Sequence, residues 1–147
     1  MKNNWLLRNW KWIFALLIGV YLLSRVSVHR GYLEDDKIEA AKLIEQFHAR
    51  MNAGSFEQIY DDAHPDFQRS TSRGAWIERM TETQRQYGAF ASSKTLTMNV
   101  VIAAPVQIRA VYESKFEKAD AIELFIFLRE AKSVRLLTYG IRRTGGL

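Results

Sequence analysis

The sequence predicts an α+β protein in which an N-terminal transmembrane helix precedes three further helices and a curved four-stranded antiparallel sheet. Three observations carry that expectation. An apolar run with basic flanks fills the first thirty residues, apolar positions recur at helical spacing from Asp35 to Gly88, and beyond Gly88 the period changes to strand-like alternation. Residues 1–30 are thus expected to be a signal-anchor and tether, and residues 31–147 a single α+β domain, as suits a chain of 147 residues.

The formal net charge of +5 suggests an affinity for nucleic acid until its placement is considered. Lys2, Arg8, Lys11, Arg25 and Arg30 precede the domain and no acid accompanies them, whereas the remaining 16 basic residues are matched by all 16 acids. The domain is formally neutral, so the charge belongs to the leader and no nucleic-acid partner is expected. The absence of Cys excludes disulfides, thiolate nucleophiles and thiol-bound zinc.

Residues 12–23, WIFALLIGVYLL, are uncharged and apolar all round. The run is shorter than the ~20 residues that cross a ~30 Å hydrocarbon core. It lengthens if the helix continues through Val26 and Val28 while Arg25 snorkels, with Trp5, Trp10 and Trp12 as interfacial anchors at the other end. Contact with the lipid bilayer is therefore expected through residues 5–28. A cleaved signal peptide and a buried core helix are the competing readings; the large or charged residues of Leu22-Leu23-Ser24-Arg25-Val26 make a poor cleavage site, which favours the anchor. Lys2, Arg8 and Lys11 hold the N-terminus inside, so a single-pass inner-membrane protein with a periplasmic domain is expected.

Within the domain, Ala40, Ala41, Ile44, Phe47 and Met51 recur at helical spacing and predict a helix over residues 35–52, closed by Asn52-Ala53-Gly54. Ser55 and Gln58 read as a capping box opening a second helix through Phe56, Ile59, Tyr60 and Ala63, which Pro65 stops. Ser70-Thr71-Ser72 caps a third helix carrying Trp76, Met80, Thr83 and Tyr87, and Gly88 ends it.

Four strands follow, at residues 95–102, 106–116, 122–130 and 134–143. The first should face inward with Leu96, Met98, Val100 and Ile102, and the second with Val106, Ile108, Ala110, Tyr112 and Phe116. The third is apolar on both faces and is expected at the centre of the sheet. Either Phe125 and Phe127 or their opposite numbers then need cover from a second copy or another protein partner. Gly140 in the last strand suggests a bulge or bend.

Helices followed by a bent meander resemble the cone-shaped nuclear transport factor 2-like superfamily. The stretch from Ala40 to Arg142 is also similar to a bacterial exported domain family of unknown function, through Gly54, Trp76, Arg85-x-Tyr87-Gly88, Phe116 with Glu123, and Tyr139-Gly140-Ile141; Val134 departs from it where an aromatic is usual. The resemblance implies a cone-like fold and an exported location, and it carries no catalytic residues with it. Related folds host isomerases and dehydratases that use Asp, His and Tyr inside the cone.

The densest polar group is Tyr60-Asp61-Asp62-Ala63-His64-Pro65-Asp66, in which Asp61 and His64 could form an acid-base pair. Its bland reading is a helix end and a solvated turn. His48 reads as a half-buried histidine beside the apolar stripe of the first helix. Trp76, Tyr87, Tyr112, Phe125, Phe127 and Tyr139 either line a cavity or fill the core. No HExxH spacing, glycine-rich phosphate loop or nucleophile elbow occurs, so neither metal nor cofactor is expected. The function expected is a membrane-anchored extracytoplasmic interaction or scaffold domain without catalysis, and the alternative is a small-molecule pocket or an isomerase- or dehydratase-like enzyme.

Overall fold

The computed structural model describes residues 33–131 and 133–144. The segment expected to meet the bilayer, residues 5–28, lies outside them. Among the described residues no helix is long and apolar enough to cross a membrane.

The protein is α+β, with four described helices followed by one four-stranded antiparallel sheet. Helix α1 covers residues 33–52, α2 Phe56–Asp62, α3 Pro65–Ser70 and α4 Arg73–Tyr87. The strands are β1 Phe90–Val101, β2 Val106–Phe116, β3 Asp120–Glu130 and β4 Ser133–Arg143, paired in sequence order as a meander. β3 is interior, as its apolar faces demand.

Three helices were expected after residue 31 and four are found, because Pro65 begins a helix where it was read as only ending one. Proline fits the first turn, where its missing N–H would lack a partner anyway. His64 completes the cap by accepting the Asp66 N–H through Nδ1 at 3.1 Å. The capping box at Ser55 does not form: its side chain makes no capping hydrogen bond, and its backbone N–H instead donates to Arg50 O. Gly54, at φ +67°, closes α1 in the left-handed conformation.

β1 starts five residues ahead of its expected first residue, since its backbone pairs with β2 from Phe90 onward even where small polar side chains hide the alternation. Irregularities at Ala91 and Leu96 interrupt its register, so Leu96 is 46% exposed and only Met98 and Val100 of the expected row pack on the core. Ile102 falls beyond the strand and is 64% exposed. The bulge expected at Gly140 lies at Leu137, which is skipped between the pairs Ile126↔Thr138 and Phe127↔Leu136. Gly140 itself pairs regularly with Leu124.

The core gathers the inward rows of β2, β3 and β4 against the apolar sides of α1 and α4. Phe47 packs its ring edge on Phe125 at 5.2 Å and lies 4.6 Å from Tyr139, while Trp76 meets Phe67 at 5.1 Å. α1 is tied to the sheet towards both ends: Arg129 on β3 donates to the buried Asp36 at 3.0 Å, and the Asn52 amide both donates to Phe90 O and accepts from Phe90 N–H. The second tie fixes the spacing between the end of α1 and the start of β1.

Candidate functional site

A carboxylate sits at the heart of the sheet's inner face. Glu123 follows Ala121 and precedes Phe125 and Phe127 in the inward row of β3, and it is 0% exposed. An unpaired charge in such a place would cost several kcal/mol, so its hydrogen bonds decide whether the fold tolerates it. Oε1 accepts from the Tyr139 hydroxyl at 2.7 Å, and Oε2 accepts from the Ser114 hydroxyl and from His48 Nε2 at 2.9 Å. Three elements supply the donors: Ser114 from β2, Tyr139 from β4 and His48 from α1. Burial, then the negative charge of Glu123 and the hydrogen bond to it, push the Tyr139 hydroxyl well above its ordinary pKa of 10.0. Tyr139 therefore remains a donor at physiological pH.

Among the described partners of Glu123, His48 is the one that lines a cleft between α1 and β1. Its ring is 4% exposed, stacks on Phe90 with centroids 3.7 Å apart, and stands edge-on to Phe125. In the tautomer whose Nε2–H donates to Glu123, Nδ1 is the nitrogen that carries the lone pair. Nδ1 makes no hydrogen bond to any described residue.

The cavity beside it is an open cleft of about 640 Å³ between α1 and the first half of β1. That volume falls within the range of small-molecule pockets. α1 contributes Ala41, Glu45, His48 and Ala49, one side of the helix whose two alanines leave the space open. β1 contributes the hydroxyls of Ser93 and Thr95, and Tyr112 reaches in from β2.

Of the residues singled out from the sequence, Tyr112 lines this cleft and Tyr139 stands behind it through Glu123. The others are elsewhere. Asp61 is exposed and pairs with Arg73 at 3.0 Å, and His64 is buried as the α3 cap, its backbone N–H donating to Leu136 O. His64 Nε2 lies 3.0 Å from Glu130 but without hydrogen-bond geometry. Trp76 donates Nε1–H to Phe56 O inside the core, and Tyr87 packs on Phe116. Phe125 and Phe127 are both buried, so the outward row of β3 is Ile122, Leu124 and Ile126.

Sequence reasoning missed the centre of the site. From the sequence His48 is a bland, half-buried histidine, and neither Ser114 nor Glu123 is among the pocket candidates. Strand alternation held the signal, because an acid in register with Ala121, Phe125 and Phe127 must point into the core and requires partners there. Among the described residues, no three His, Asp or Glu side chains are grouped to hold a metal ion. No family model and no curated protein matches the chain in sequence.

Proposed function

We propose that the domain binds a small organic molecule in the cleft between α1 and β1, and that His48, oriented by Glu123, is the group that meets it. The observation carrying this reading is a nearly buried imidazole at a cavity wall, with one nitrogen committed to a buried carboxylate and the other without a partner among the described residues. A purely structural role would be filled at less cost by apolar packing than by a buried ionisable pair. Glu123 sets the tautomer and would stabilise an imidazolium, so Nδ1 is equipped to accept a proton. Proton abstraction of the kind used in isomerisation or dehydration is the chemistry such a pair would serve, and a cone-like arrangement of sheet and helices suits it.

Carbethoxylation by diethyl pyrocarbonate, read by mass spectrometry, tests the availability of Nδ1. His48 should be modified and His64, buried as a helix cap, should resist. If His48 resists, its free nitrogen does not face the cleft and the reading falls.

A second reading, that of a membrane-anchored extracytoplasmic interaction domain, is supported by two features. The outer sheet face presents Val111, Ile122, Leu124 and Ile126 side by side, with Leu124 37% exposed, a row suited to pairing with a second copy of the chain. The apolar run at residues 12–23 with its basic flank supports an inner-membrane anchor and a periplasmic domain. Membrane fractionation followed by mass spectrometry of the N-terminus should recover an intact, membrane-bound chain. A soluble species starting between Val26 and Gly31 would replace the anchor with a cleaved signal.

A further inference from the structure

We infer that the cleft takes an organic ammonium, a protonated amine on a small apolar body, which donates to His48 Nδ1 while its charge faces the Glu45 carboxylate. The inference rests on the reading of the cleft as a ligand site and adds the sign of the ligand's charge.

Among the described residues the charged groups at the cleft are all of one kind. Glu45 lines it, Glu123 lies directly behind His48, and no described Lys or Arg lines it. Lys94, between the lining residues Ser93 and Thr95, belongs to the opposite face of β1, where it pairs in register with the outward Glu113. Two carboxylates with no lining cation among the described residues leave a site of negative potential, and low-dielectric walls strengthen that field.

Hydrogen-bonding capacity points the same way. An ammonium has only donors, and the cleft offers acceptors for them: the Nδ1 lone pair, the Glu45 carboxylate and the hydroxyls of Ser93 and Thr95. A carboxylate or phosphate ligand would find, among the described lining side chains, only hydroxyl donors and the Asn52 amide already engaged with Phe90, opposite an acid. The apolar body has its own surroundings in Ala41, Ala49 and the rings of Phe90 and Tyr112, whose faces also attract a cation.

The test uses the full-length protein in nonionic detergent, isotope-labelled at histidine Cε1 and titrated separately with benzylamine, benzyl alcohol and benzoate. These probes share a ring and differ in charge. The chain has 3 histidines, and the His48→Gln variant assigns the signal of His48. Benzylamine should shift that signal saturably without moving His64, benzyl alcohol should bind more weakly, and benzoate should leave it unmoved. Glu45→Gln should weaken benzylamine about threefold, as befits an ion pair at a solvated rim. If benzoate or benzyl alcohol binds as tightly as benzylamine, or if Glu45→Gln changes nothing, the ammonium assignment is overturned while the cleft stands as a ligand site. If His48 ignores all three probes, the assignment and the reading beneath it fall together.

Discussion

His48 Nε2 and Glu123 Oε2 lie 2.9 Å apart although 75 positions separate them in the chain. The contact joins the first described helix to β3, one of the two interior strands of the sheet. Ser114 and Tyr139 approach the same carboxylate from the neighbouring strands.

Replacing Glu123 by Ala leaves three donors facing a small void, and it should destabilise the domain by at least about 3 kcal/mol. Tyr139→Phe alone should cost about 1–3 kcal/mol. The two should be strongly non-additive, since the Tyr139 hydroxyl loses its purpose once Glu123 is gone. Urea denaturation of both single variants and the double variant measures this, and simple additivity would mean that the 2.7 Å hydrogen bond contributes nothing.

Alkaline pH should unfold the protein through Tyr139. Its pKa in the folded state is raised above the ordinary 10.0, so the folded form holds a proton that the unfolded chain releases. The contribution is fully present below pH 10 and is lost as the pH rises towards the folded-state value. Stability measured against pH should therefore fall less steeply above pH 10 in Tyr139→Phe than in the parent.

Two glycines with positive φ should respond differently to alanine. Gly54, at φ +67°, has open space around it, and Gly54→Ala should cost about 1 kcal/mol from backbone strain alone. Gly88, at φ +77°, lies where an added Cβ would come within 2.9 Å of Glu117 Cβ, so Gly88→Ala should cost about 2 kcal/mol or more. The comparison is made by thermal unfolding, and equal losses would show that the turn after β2 yields freely.

The two faces of β3 should separate under charge insertion. Phe127→Asp places a charge in the core and should prevent cooperative folding. Leu124→Asp should fold, and by sedimentation it should lower the mass of any dimer formed through the outer face. A parent protein that is monomeric at high micromolar concentration would remove the self-pairing expected of that face, leaving a different protein as its partner.

What could be read from residue order alone was whatever depends on near neighbours. The α1 periodicity, the Gly54 and Gly88 terminators, the strand boundaries of β2 and the meander order are all legible, because side-chain period and turn chemistry act over a few residues. Even locally the reading slipped where one residue type serves two ends of a helix, as with Pro65, or where small side chains leave no pattern, as in the first half of β1. Tertiary structure decided the rest. Asp61 and His64 lie three residues apart and are rich in chemistry, yet the fold turns one to solvent and spends the other on a helix cap. Strand alternation places Glu123 in the core, but only the laying of α1 across the sheet brings the imidazole to the carboxylate and to the wall of a cleft, because long-range packing sets which buried polar groups find partners.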